Sequence, residues 1–247
     1  MKKGLRILSV VLVLILSMSL WGCDPPMERF FTADGFQLAY LLSRKNECCV
    51  VAYCGEETEI TIPLEYEGKP VVRLGIARFP FMITPYVKKI TFQRNIKEPW
   101  MFNLNNCYIL IDGEMEKAKD EEGKELELQL EEICVTEDNE YMKSIDGVLF
   151  SRDGKELLLY PSARTNEKYV LPETVTELRY HYGNDILEHR YLKELYIPSE
   201  TIVEMGAYYI DLDSIYVPAS LLEEYKTQRV YGASAFKPLP ENWEETV

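Results

Sequence analysis

One phrase recurs along the chain and limits what it can fold into: a short alternating apolar strand that a proline brings to a stop. It appears as EITIPLEYEGKPVVRLG (59–75), KKITFQRNI (88–96), KYVLPETVTELRY (168–180), KELYIPSETIVEMG (193–206) and DSIYVPASLLEEY (213–225), with the proline in four of the five. Apolar–polar alternation is the two-residue period of a strand with one buried face. Proline has no N–H for a ladder, so it ends the strand and turns the chain outward. The copies are unevenly spaced: Pro172 to Pro198 is 26 residues and Pro198 to Pro218 is 20. Periods of about 20–29 residues with one strand each mark a stacked repeat. Each unit has an apolar edge that only its neighbours can bury, so the core forms by stacking.

The stretch MKSIDGVLFSRDGKELLLYP (142–161) carries two Asp-Gly pairs. Val148 to Phe150 and Leu157 to Tyr160 are strand-like runs with Arg152-Asp153-Gly154-Lys155 between them, and Gly154 can take the positive φ of a tight hairpin. Asp146-Gly147 is a second turn at the hairpin's entrance. A calcium loop would need oxygen ligands at alternate positions and a closing Glu. Val, Leu and Phe fill those positions, so the pairs read as turns.

These segments resemble the BspA-type leucine-rich repeat surface proteins. Ile62-Pro63, Gly68-Lys69-Pro70-Val71, Leu74-Gly75 and Ala77 to Phe79 match the opening unit of that family's repeat. Leu192 to Pro198 and Ile202 to Gly206 match a later one, and Asn139 to Pro161 fits the family's inserted strand pair. Ile215 to Leu221, with Glu224-Tyr225-Lys226, is similar to its closing strand and helix. The resemblance spans most of residues 30–230, while 97–132 fit no repeat. It implies a β-rich α/β solenoid, an irregular leucine-rich repeat with short strands, an inserted β-hairpin and a C-terminal helical cap. It also implies adhesion to host proteins, other cells or matrix.

Within 113–132, Glu125 to Glu131 alternate with Leu126, Leu128 and Leu130 and predict a strand buried on one face. Glu114 to Lys124 reads as a solvated loop or hairpin tip. Ser220-Leu221-Leu222-Glu223 is a capping-box pattern that predicts a helix over about 219–228, covering the open end of the sheet. The tail KPLPENWEETV after Phe236 is expected to be extended and loosely held.

The N-terminus reads as a secretory signal: Lys2, Lys3 and Arg6 precede an apolar run from Ile7 to Leu20 that is short for a membrane span. Leu20-Trp21-Gly22-Cys23 resembles a bacterial lipobox, which implies cleavage after Gly22 and a diacylglyceryl thioether on Cys23. Acyl chains bury CH2 groups at about 0.8 kcal/mol each, so several hold firmly. The expected organisation is therefore a signal peptide over 1–22, a tether over 23–29 stiffened by Pro25-Pro26, a repeat domain over 30–236 and a tail over 237–247. The localisation expected is the bacterial cell envelope, lipid-anchored and facing outside the cytoplasm.

The chain carries a net charge of −14, and losing 1–22 would remove three positive charges and no acids. Such a chain repels nucleic acid, so none is expected as a partner. Five cysteines remain besides Cys23. Cys48 and Cys54 on one strand would stand about 20 Å apart, beyond disulfide reach, so CCVVAYC reads as small apolar strand residues. No histidine lies near them, and no metal or cofactor is expected. His181 and His189, eight apart, lack metal-ligand spacing, and neither a nucleophile elbow nor a phosphate loop is present. No catalytic residues are assigned and the chain is read as a non-enzyme.

Two readings of the tyrosines stay open. Tyr180, Tyr182, Tyr191, Tyr196, Tyr208, Tyr209 and Tyr216 could form an amphipathic surface for peptide or glycan, or simply suit strands, the reading favoured here. The function expected is a surface-displayed module that binds an extracellular or envelope protein, or a glycan. Its alternatives are an envelope assembly component and, less favoured, a carbohydrate-active enzyme with paired carboxylates. No ligand-binding residues follow from the sequence.

Overall fold

The computed structural model describes residues 27–32, 34–41, 46–75, 80–97, 107–112, 114–178, 186, 189–206, 210–228 and 230–245. The signal segment 1–22, Cys23 and the start of the tether lie outside them. So do the Ala77 to Phe79 cue, His181, and Tyr180, Tyr182, Tyr208 and Tyr209. The described residues are rich in strands, with one short α-helix.

The chain opens with strands β1 (Met27–Phe31), β2 (Phe36–Leu41) and β3 (Cys48–Tyr53), paired antiparallel in that order. β1 takes up residues 27–29, which the sequence reading gave to the tether. β3, the CCVVAY run, is buried along its whole length. Next come β4 (Glu59–Thr61), β5 (Glu65–Tyr66) and β6 (Lys69–Leu74). β6 joins β3 in parallel and β5 in a hairpin. β7 (Lys89–Phe92) and β10 (Glu132–Val135) build a parallel ladder with β4, in the order β4, β7, β10.

Between β7 and β10, β8 (Tyr108–Ile111) and β9 (Glu114–Lys117) form an antiparallel hairpin. Of the two readings of Glu114 to Lys124, solvated loop or hairpin tip, the hairpin holds over Glu114–Lys117. The expected strand over Glu125 to Glu131 is absent. Lys119 and Glu125 form one bridge, and Leu126 is 37% exposed while Leu128 and Leu130 are buried. The alternation holds only at Leu128 and Leu130, whose side chains reach the core beneath the parallel ladder; Leu126 has no layer to bury against.

A meander follows: β11 (Met142–Ile145), β12 (Val148–Ser151) and β13 (Glu156–Leu159). Its first turn is Asp146-Gly147, with φ of 48° and 72°, two successive left-handed residues that suit the twist of a tight hairpin. Both Asp-Gly pairs are thus strand-reversing turns, and β11 extends the expected pair to three strands.

The C-terminal part repeats a two-strand coil. β14 (Lys168–Val170), β16 (Glu194–Tyr196) and β18 (Ser214–Val217) form one parallel ladder; β15 (Glu177–Leu178) and β17 (Glu204–Met205) extend β13 in another. Prolines 172, 198 and 218 follow β14, β16 and β18 by one or two residues. The second strand of each coil was not foreseen: at two residues, it is too short to show a period.

The helix α1 (Leu222–Thr227) is shorter than expected, and the capping box does not form. Leu221 is the N-cap residue and no side chain caps it. Residues 219–221 are a turn after Pro218, closed by the Leu221 N–H donating to the Pro218 carbonyl at 2.9 Å, which shifts the helix start one residue past Ser220. The helix seals the ladder by other means. Gln228 donates through Nε2 to the Val203 carbonyl at 2.9 Å and accepts the Met205 N–H on Oε1 at 2.7 Å, so its amide pairs with β17 as a further strand would. The buried Tyr225 hydroxyl accepts the Val203 N–H at 2.9 Å. After it, β19 (Phe236–Pro238) adds a last parallel strand to β18. The stretch expected as a loose tail therefore begins as sheet, because the free edge of β18 offers it hydrogen bonds.

Candidate functional site

Within each parallel ladder the strands share one register, and that register defines a surface. Ile60, Ile90 and Ile133 stand side by side on β4, β7 and β10, all buried. Tyr169, Leu195, Ile215 and Phe236 do the same on β14, β16, β18 and β19. Because side chains alternate across a strand, the residues on either side of this inner row face outward. One outward row runs Glu59, Lys89, Glu132 and then Lys168, Glu194, Ser214. The other runs Thr61, Thr91, Cys134 and then Val170, Tyr196, Tyr216, Lys237.

The first row is laced with charge pairs across strands: Lys89 Nζ to Glu132 at 3.2 Å and Lys168 Nζ to Glu194 at 3.4 Å. Opposite charges on neighbouring strands favour this register over its slips. Glu132 also accepts the Cys134 S–H at 3.0 Å. That hydrogen bond and Lys89 hold the Glu132 carboxyl below its usual range. Burial, then the Glu132 carboxylate, push the Cys134 thiol up to about 11. The Cys134 side chain is thus held as the thiol at neutral pH.

The two ladders meet between β10 and β14, where the meander's first turn and Arg164 fill the break. The Ile133 N–H donates to the Gly147 carbonyl at 2.9 Å and the Ala163 N–H to that of Leu130 at 2.8 Å. The Arg164 guanidinium donates to both the side chain and the carbonyl of Asp146, and lies 5.8 and 5.9 Å from the Tyr160 and Tyr169 rings. An open depression of about 600 Å3 lies here, lined by Glu131, Glu132, Asp146, Gly147 and Arg164 among others. Its carboxylates are committed to Lys88, Lys89 and Arg164. Among the described residues no cluster of His, Cys, Asp and Glu has the geometry to hold a metal ion.

Behind the seam, His189 is a packing residue. Its ring stands edge-on to Tyr160 at 4.8 Å, Nε2 donates to the Pro161 carbonyl at 2.9 Å, and Nδ1 accepts the N–H groups of Tyr191 and Leu192. Of the described tyrosines that the sequence singles out, Tyr196 and Tyr216 come together, stacked at 4.7 Å, and Trp243 from the tail stacks on Tyr196 at 6.1 Å. Tyr191 lies apart, beside His189. Sequence reasoning missed Arg164 and Trp243. Arg164 lies in the connection between β13 and β14, outside every repeat copy. Trp243 is an aromatic in an acidic tail, and that isolation was the available signal.

No family model matches the sequence, and no curated protein matches it. Its structural neighbours include bacterial leucine-rich repeat proteins. The pneumococcal vaccine antigen PcpA matches at TM-score 0.31 and 17% identity, over 72% of this chain and 66% of that one. A leucine-rich repeat protein from Eubacterium ventriosum matches at TM-score 0.31 and 14% identity, over 86% and 77% of the two chains. A leucine-rich cell surface protein from Faecalibacterium prausnitzii matches at TM-score 0.29 and 14% identity, over 88% and 79%.

Proposed function

We propose that this chain is a leucine-rich repeat solenoid of the bacterial cell surface. It binds a protein partner across its strand face without catalysis, and lipid on Cys23 holds it to the envelope. One observation carries the binding reading. Two parallel ladders, each in register, present the outward rows Thr61, Thr91, Cys134 and Val170, Tyr196, Tyr216, Lys237, next to rows of alternating charge. A broad shallow face of mixed polar and aromatic character suits a protein surface better than a small substrate. Adhesion is the role that the sequence resemblance implies for the chain.

The test is binding to an array of immobilised extracellular-matrix proteins and glycans, comparing wild type with Thr91→Arg on the face and Glu122→Arg in the exposed loop away from it. The expected result is a protein signal that falls at least tenfold with Thr91→Arg and holds with Glu122→Arg. A signal indifferent to Thr91→Arg, or confined to glycans, overturns the reading. Anchoring is tested separately. Full-length protein should enter the detergent phase with the mass of the lipid, and Cys23→Ala should stay in the aqueous phase. An unlipidated wild type removes the envelope assignment.

A further inference from the structure

Along the outward row every position is open to water except one. Thr61 and Lys237 are exposed, and Thr91, Cys134, Val170 and Tyr216 are half-buried. Tyr196 is 2% exposed, yet it belongs to neither hydrophobic core cluster. Two rings pack against it, Tyr216 of the neighbouring strand at 4.7 Å and, from outside the repeat, Trp243 at 6.1 Å, with planes inclined by 26° and 29°. Trp243 comes from the last turn among the described residues. The Leu239 N–H still donates to the Val217 carbonyl at 2.8 Å, continuing the sheet. Beyond it the turn closes on itself, Trp243 N–H to Pro240 carbonyl at 3.3 Å and Glu245 N–H to Asn242 carbonyl at 3.2 Å.

The groups around the stack are polar and carry both charges. The Tyr196 hydroxyl donates to Glu194 at 2.7 Å, Lys168 reaches the same carboxylate, and the Lys237 ammonium lies 2.5 Å from the Ser214 hydroxyl. The covering segment PENWEE carries Glu241, Glu244 and Glu245 around its one aromatic residue. A ring carried among carboxylates thus meets a ring pair beside which stand Lys168, paired with Glu194, and Lys237.

We infer that Tyr196 and Tyr216 form a binding site for an aromatic side chain carried on an acidic peptide segment, and that the Trp243 turn occupies this site within the chain until a partner segment displaces it. The inference rests on the strand face being the binding surface, and names the chemistry one end of it recognises. Stacked and tilted aromatic pairs are attractive beyond their buried area, so exchanging one indole for another ring leaves the site satisfied in both states. A tethered occupant competes through its effective concentration, which sets the affinity a partner must exceed.

The test uses the full chain carrying Trp243→Ala, which opens the site and keeps the sheet edge. The peptide PENWEETV is titrated into it to millimolar concentration and followed by NMR shifts of the isotope-labelled protein. Saturable shifts are expected at Tyr196, Tyr216 and Lys237, at least tenfold weaker binding to wild type, and none with the peptide PENAEETV. Adding Tyr196→Ala to the host should abolish the shifts. Dispersed spectra of each variant verify the fold. No saturable shifts in a folded Trp243→Ala host, equal binding to wild type, or equal binding of PENAEETV overturns the inference. Loss of array binding with Thr91→Arg alongside any of these results would leave the strand-face reading standing and remove only this site.

Discussion

Asn139 shows how a single side chain can close a repeat. It is wholly buried, and its amide is fully used: Nδ2 donates to the Gln93 and Ile96 carbonyls at 2.9 and 3.0 Å, and Oδ1 accepts the N–H groups of Tyr141 and Met142 at 2.8 and 2.9 Å. Asn139→Leu would orphan four backbone groups, and unsatisfied buried groups cost more than the bonds gained. A loss of about 3 kcal/mol or more in urea unfolding is expected; a loss below about 1 kcal/mol would mean that water replaces the amide. His189 sets a pH dependence. Burial lowers its folded pKa below the ordinary 6.5. Between the two values the unfolded chain binds more protons, so stability rises with pH there. The contribution is complete above about pH 6.5 and is lost as pH falls through the folded value. His189→Asn should therefore flatten the fall in Tm between pH 7 and 5 relative to wild type; parallel Tm profiles would refute it. Neither role was legible from the sequence. An asparagine's hydrogen-bond demand is visible there, but the Gln93 and Ile96 carbonyls that meet it come from another repeat.

The turns belong to the element scale, and two of them separate conformation from packing. Glu67-Gly68 and Asp146-Gly147 have nearly the same dihedrals, with φ of 49° and 73° in the first and 48° and 72° in the second. A Cβ on Gly68 would meet nothing within 4 Å, whereas one on Gly147 would lie 2.8 Å from Glu132 Cγ and 3.3 Å from Arg164 Nη1. Gly68→Ala should cost only the left-handed strain, about 1 kcal/mol. Gly147→Ala should cost clearly more and disturb Glu132 at the seam, read by thermal melts of both variants. Equal losses would mean that Glu132 simply swings aside. The Asp-Gly pairs were legible as turns because positive φ is a local demand. The capping box failed for the complementary reason: Ser220 has the right neighbours, but the Pro218 turn takes it out of register with the helix.

At the scale of the whole molecule, the meander joins two cores. Leu149, Leu158 and Leu159 pack into the N-terminal cluster, while Val148, Phe150 and Leu157 pack into the C-terminal one. On β12 the alternation of a strand lets Val148 and Phe150 serve one side and Leu149 the other. Phe150→Ala removes a wholly buried ring from one side and should destabilise by about 3–5 kcal/mol. It should lower one calorimetric transition for the described region as a unit. Two separated transitions, with only the C-terminal one shifted, would show that the meander does not couple the cores.

The sequence by itself determined the strands of the repeat copies, the prolines that end them, the tight turns and the acidic balance, because each follows from near neighbours along the chain. Only the tertiary structure decided which rows face outward together, that a glutamine amide and a last strand close the two ladders, that Arg164 fills their seam, and that Trp243 lies over Tyr196. Those outcomes depend on groups brought together from distant positions, where free sheet edges and uncovered rings find partners that no local pattern encodes.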